Sequence, residues 1–199
     1  MKAGAALVAV DVQNDFCPAG ALAVPDGDAV VPVLNAYIEE FRRRGLPVFV
    51  SRDWHPKVTK HFKERGGLWP VHCVQNTPGA RFHPGLKFPK EAVIVSKGTD
   101  PDEEGYSVFS AHDDKATAFG ELLAKRGIKK LFIGGLATDY CVKETALEAL
   151  KKGFKVYVLT DAVGGVDLHP GDSDKALREA VARGAALLTL KDLPGVLET

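Results

Sequence analysis

The stretch "IKKLFIGGLATDYCVKETALEAL", residues 128–150, decides the fold. Its opening, "IKKLFI", reads as a buried strand. Two glycines follow, and then apolar residues return at helical spacing through Val142, Ala146, Ala149 and Leu150. A strand that turns through glycine straight into a helix is half of a β-α-β unit. One thiol, Cys141, stands at the junction. A small hydrophobe would fill space there as well, so the cysteine raises the question of what else gathers at that end of the sheet.

The same alternation runs outward in both directions. "AALVAVD" (5–11), "LPVFVSRD" (46–53), "AVIVSK" (92–97), "FKVYVLTD" (154–161) and "AALLTL" (185–190) read as strands. "DAVVPVLNAYIEEFRRRG" (28–45), "KATAFGELLAKRG" (115–127), "TDYCVKETALEALKKG" (138–153) and "SDKALREAVARG" (173–184) read as helices, each closing on a glycine. Nearly all-apolar strands alternating with helices imply a parallel sheet covered on both faces. The expected fold is α/β: a three-layer α/β/α arrangement with a mainly parallel sheet of about six strands, in one domain over 1–199. Residues 54–91, rich in Gly, Pro and His, break the alternation. A loop that long inside a compact domain is usually functional.

Composition narrows the function classes. The 26 basic and 26 acidic side chains cancel, which argues against a broad surface for nucleic acid or anionic lipid. No apolar run reaches the length of about 18 residues that suggests a membrane span. "MKAGAALVAVDVQNDF" reads as a first strand, because it lacks the apolar core and cleavage site of a signal peptide. Three cysteines, Cys17, Cys73 and Cys141, form no disulfide framework and point to the reducing cytoplasm. Asn, Gln and Met are scarce, a composition in the direction of thermophilic proteins.

Ligands of open parallel sheets bind at the carboxyl ends of the strands. There the first strand ends on Asp11, the second on Asp53, the third on Lys97 and the fifth on Asp161, while the fourth leads through Gly134 and Gly135 to Cys141. With Thr138 as N-cap, Cys141 falls in the first helical turn, whose free N–H groups favour thiolate and can hold an oxyanion. The bland alternative is a buried structural cysteine. Asp11, an acid closing a buried strand, suits proton transfer, and Lys97 suits orienting it. Within the irregular stretch, "RDWHPKVTKHF" and "LWPVHC" supply Asp53, His55, His61 and His72. Three imidazoles and a carboxylate suit zinc, with iron or manganese as alternatives. Glu64 is a rival for the fourth position, and His83, His112 and His169 read as unpaired and solvated.

"VAVDVQNDFCPAGALAVPDGD", "SRDWHP", "WPVHCVQNTPGARFHP", "VIVSKG" and "GLATDYCVKETALEALKKGFKVYVLTDAVGGV" together resemble the nicotinamidases, within the isochorismatase-like cysteine hydrolases. The resemblance covers nearly the whole chain in order. It implies Asp11, Lys97 and Cys141 as a catalytic triad, and Asp53, His55, His61 and His72 as ligands of a divalent metal, zinc first. It implies that Phe16 and Trp69 pack on a pyridine ring, where either aromatic would otherwise be ordinary core. It also implies a cis peptide between Leu136 and Ala137 that aims the Ala137 N–H, with that of Cys141, at an oxyanion. The implied reaction is hydrolysis of nicotinamide, or pyrazinamide, through a thioester. Such a chain has a small-molecule substrate, and a homo-oligomer is compatible with it.

Two other readings compete. A ureido or carbamoyl amidohydrolase of the same superfamily would share Asp11, Lys97 and Cys141 without needing the histidines. A non-catalytic nucleotide-binding module would call for a glycine-rich loop after the first strand, where "DVQNDF" stands instead.

Overall fold

A computed structural model describes residues 4–197 of the chain. Six strands form one sheet: β1 (Gly4–Val10), β2 (Val48–Asp53), β3 (Val93–Lys97), β4 (Ile128–Leu136), β5 (Lys155–Gly164) and β6 (Ala186–Leu188). Their order is β3-β2-β1-β4-β5-β6, and every pairing is parallel. The helices are α1 (Val30–Arg43), α2 (Phe119–Lys125), α3 (Lys143–Lys151), α4 (Asp172–Ala182) and α5 (Leu193–Leu197).

Strand alternation builds the two cores. Along β1, Ala5, Leu7 and Ala9 face one core, with Leu34, Tyr37, Ile38 and Phe41 of α1 and Leu193 of α5. Ala6, Val8 and Val10 face the other, with Leu122 and Leu123 of α2, Ala146 and Ala149 of α3 and Ala180 of α4. Because both faces are buried, the strands carry few buried polar residues, and these, Ser51, Asp53, Ser96 and Lys97, lie at the carboxyl ends of β2 and β3.

The strand order reverses between β1 and β4, the two central strands. Crevices of open α/β sheets form at such a reversal. β1 runs into Asp11 and β4 runs toward Cys141, so the expected base and nucleophile flank it.

Some boundaries differ from expectation. β5 continues through Asp161 to Gly164, and the Asp161 side chain serves the fold: it accepts from the Tyr37 hydroxyl at 2.8 Å and the Leu190 N–H at 2.9 Å. α2 begins only at Phe119, because His112 first bridges to Ala118 and Ala111 accepts the Phe119 N–H. Among the described residues, no helix is long and apolar enough to cross a membrane.

Candidate active site

Backbone register places the charged residues before any side chain is considered. Asp53 and Lys97 are the last residues of β2 and β3 and are register partners, so their side chains emerge side by side. Asp11 follows β1 directly, in a left-handed conformation (φ 48°), with its N–H on the Ser51 carbonyl. All three are buried. Lys97 Nζ lies 2.8 Å from Asp11 Oδ2, makes a short contact with Asp53 Oδ1 and sits 3.3 Å from Cys141 Sγ. One ammonium therefore touches both carboxylates and the sulfur.

The path to Cys141 is sharper than a simple helix start. Gly135 (φ 119°) lies against β1, where a Cβ would collide with the Val10 carbonyl. The Leu136–Ala137 peptide is cis. Thr138–Val142 then forms one π-turn ahead of α3. Ala137, not Thr138, occupies the N-cap position: it is extended, and its carbonyl accepts from Tyr140 N–H at 3.2 Å and Val142 N–H at 3.1 Å. The wide turn displaces the cap by one residue and delivers Cys141 to the crevice. Asp139 ties the turn down by accepting the Val166 and Asp167 N–H groups at 3.0 and 2.8 Å.

Electrostatics correct a second expectation. Burial pushes the Cys141 thiol well above its ordinary pKa, and Asp11 and Asp53 push it further, while Lys97 pulls the other way. Burial and the two carboxylates thus disfavour the thiolate that a helix start by itself favours. Burial also raises Asp11, against the pull of Lys97, as expected of a carboxyl that exchanges a proton. Asp53 behaves oppositely: burial would raise it, but Lys97, ahead of the two histidines, holds it well below the usual carboxylate range. Burial works against the Lys97 charge, yet Asp11 and Asp53 raise its pKa well above the ordinary value.

The irregular stretch folds into a histidine cluster beside this group. His55 and Val74 form a parallel bridge, as do Phe62 and Trp69. These two bridges draw the histidines together: ring centroids are 4.7 Å apart for His55–His61, 5.1 Å for His55–His72 and 5.5 Å for His61–His72. One ring nitrogen of each lies within 4.8 Å of the other two. Glu64 is exposed on the short turn Lys63–Arg65 and does not join them.

The donor set fits a metal. His55 Nδ1 lies 3.1 Å from the Gly98 carbonyl and His72 Nδ1 lies 2.8 Å from the Pro70 carbonyl. A carbonyl can only accept, so both rings carry a proton on Nδ1 and turn Nε2 inward. Gly98 is in close contact with the His55 ring, where a Cβ would collide with it. His55 Nε2 is buried with no hydrogen-bond partner among the described residues. Asp53 Oδ2 faces it at 3.6 Å and faces His72 Nε2 at 3.9 Å, beyond hydrogen-bond length. Burial, with His55 and His72 nearby, lowers His61 to about pKa 3, and burial lowers His72 as well. Neutral imidazoles with unused lone pairs beside an ionised carboxylate are the ligand form.

Aromatic residues border both groups. Phe16 is buried with its ring 5.5 Å from that of His72, and Trp69 packs 4.7 Å from Tyr140, next to Cys141. Tyr106, absent from the sequence reading, accepts the Trp69 Nε1–H at 2.8 Å and lies 5.4 Å from the His61 ring. It sits in an unpatterned loop, and no local signal marked it. Ser51 and Gln13 were also missed, although a polar residue inside the apolar run "VFVSRD" was a visible signal for Ser51. His83 and His112 are not merely solvated: His83 Nδ1 accepts the Gly85 N–H, and the His112 ring lies 3.3 Å from the Thr99 hydroxyl and 3.0 Å from the Asp113 carbonyl. His169 is exposed beside Asp172.

The sequence pattern of the isochorismatase domain matches residues 5–192. The chain belongs to the isochorismatase family. Within the family it is similar to a nicotinamidase of Escherichia coli (strain K12), 43% identical over 203 residues, covering 94% of this chain and 95% of the relative. The solved structure of a pyrazinamidase of Pyrococcus horikoshii in complex with zinc superposes with a TM-score of 0.85 at 47% identity, covering 94% of this chain and 99% of that one. An L. infantum protein solved in complex with nicotinate has a TM-score of 0.83 at 32% identity, covering 95% and 94%. This isochorismatase-family chain is thus matched along almost its whole described length.

Proposed function

We propose that the chain is a metal-dependent cysteine amidohydrolase that converts nicotinamide to nicotinate and ammonia, in the cytoplasm, for pyridine-nucleotide salvage. The observation that carries this reading is the junction of two groups through Asp53: a thiol–ammonium–carboxylate set on one side, three inward-facing imidazoles on the other. A ureido or carbamoyl hydrolase would use the first group and has no evident need of the second.

Asp53, His55, His61 and His72 would hold a divalent cation, zinc first, with iron(II) or manganese(II) also suited to the donors. When bound, such a cation supplies a Lewis-acidic position for a heteroaromatic ring nitrogen. Phe16 and Trp69 pack the pyridine ring and orient its carboxamide toward Cys141. The Cys141 sulfur attacks the carboxamide carbon as Asp11 takes the thiol proton. Lys97, 3.3 Å from the sulfur, offsets the negative charge as it forms. The N–H groups of Ala137 and Cys141 receive the oxyanion. The C–N bond breaks and Asp11 returns its proton to the departing nitrogen, giving ammonia. Water then gives a proton to Asp11 and adds to the thioester; the C–S bond breaks, and the thiolate recovers that proton as nicotinate leaves.

The test is ammonia release by purified, metal-analysed protein. Nicotinamide and pyrazinamide, which both carry a ring nitrogen meta to the carboxamide, should be hydrolysed, and benzamide far more slowly. A chelator, or His55→Ala, should depress nicotinamide turnover and narrow that gap. Equal kcat/KM for benzamide and nicotinamide in the metal-loaded protein would overturn this assignment in favour of the carbamoyl hydrolases.

A further inference from the structure

Gln13 is fully buried, yet its side-chain amide is saturated with backbone partners. Nε2 donates to the Asp53 carbonyl at 2.8 Å and to the Ala80 carbonyl at 2.9 Å, and Oε1 accepts the Asp53 N–H at 2.8 Å. The reason lies in how β1 ends. Its last rung to β2 is the Asp11 N–H on the Ser51 carbonyl, at 3.2 Å. Asp11 then enters the left-handed region and the chain leaves the sheet. The next rung, which would engage the main chain of Asp53, is missing from the backbone. A primary amide offers the same donor and acceptor as a peptide group, and Gln13 supplies that rung with its side chain.

The residue so clamped is the one whose carboxylate touches Lys97 with one oxygen and faces His55 and His72 with the other. Through Ala80 the same side chain also fastens the far end of the loop that carries the histidines, and the Gln13 main chain holds it a second time in an antiparallel bridge to Phe82. We infer that Gln13 is a positioning residue of the metal centre: by gripping both main-chain polar groups of Asp53, it sets the aim of the Asp53 carboxylate toward the bound cation. The inference rests on the metal-dependent reading above. Neighbours of this kind, one step behind a ligand, typically govern 10- to 100-fold in metal affinity.

A purely structural glutamine would change stability but leave the affinity of the folded molecule alone. Gln13→Met keeps the length and removes all three hydrogen bonds. In competition with a chromophoric chelator, folded Gln13→Met should bind Zn2+ about 10- to 100-fold more weakly than wild type. Its Co2+ absorption bands should be displaced. Equal Zn2+ affinity and an unchanged Co2+ spectrum would overturn the inference. Should the variant not fold, the wild type decides: Zn2+ added to metal-free protein should shift the Gln13 side-chain amide resonances and slow their hydrogen exchange, and unmoved resonances would overturn the inference. A wild type that takes up no divalent cation removes the metal-dependent reading itself, and the role of Gln13 with it. A wild type that binds as tightly as Gln13→Met removes the role of Gln13 alone.

Discussion

Ser51 Oγ donates a 2.7 Å hydrogen bond to Asp11 Oδ1, and both residues are fully buried. Asp11 is thus gripped on Oδ1 by a hydroxyl and on Oδ2 by the Lys97 ammonium, which fixes the carboxylate plane against the sulfur. Ser51→Ala should lower kcat by about 10-fold, the scale of one hydrogen bond to a charged group, with little change in KM. Ser51→Thr should restore most of it. Full kcat in Ser51→Ala would remove the hydroxyl from this role.

Cys141→Ala should abolish hydrolysis, a loss of at least about 10³-fold, while the unfolding midpoint stays near wild type. The side chain is small and its partner, Lys97, keeps two carboxylates. Near-normal ammonia release from the variant would exclude Cys141 as the nucleophile. Cys17 is buried and its thiol is pushed up to about 11 by burial and Asp28, so Cys17→Ala should keep its activity.

The base must be ionised to accept the thiol proton, and burial raises Asp11 above its ordinary value of 3.8. Activity should therefore rise with pH through a limb lying above that value, and fall as acid protonates Asp11. kcat/KM against pH, measured with the metal site saturated, checks the sign. Asp11→Asn should lose about 10² to 10⁴ in rate. A limb at or below 3.8 would mean that another group is being titrated.

Lys97→Met removes the ammonium 3.3 Å from the sulfur. Since Lys97 pulls the Cys141 thiol down against burial and two carboxylates, its loss should raise the thiol further. Iodoacetamide labelling of Cys141 at a fixed neutral pH should slow accordingly. An unchanged labelling profile across pH would leave Lys97 with Asp11 alone.

Much of this was legible because the residues that carry chemistry interrupt apolar runs. Asp11, Asp53 and Lys97 each close a strand that burial requires to be apolar, and a charge there stands out. The histidines were visible as a cluster in a stretch without strand or helix pattern. The hidden features depend on partners distant in sequence. Gln13 and Ser51 gain their roles from residues 40 positions away. The Cys141 thiol is raised first by burial, against the pull of Lys97, and then by Asp11 and Asp53, so the helix-start argument alone gives the opposite direction. The π-turn depends on Ala137 accepting from Val142, and Thr138 fits a cap equally well on local grounds.

The strand order carries one more consequence. Asp11 and Cys141 hang from the two innermost strands, but Lys97 hangs from β3, the rim strand of the sheet, whose outer edge is bridged at Ser96 by His112 and whose one neighbouring strand is β2. Rims open before centres. A brief peeling of β3 withdraws the ammonium and leaves two carboxylates and a thiol facing one another in an intact interior. On warming, catalysis should therefore fail while far-ultraviolet circular dichroism still reports a folded sheet, and amide exchange at Val95 should run ahead of that at Val8. The molecule's working lifetime is then set by its weakest edge rather than by its melting point.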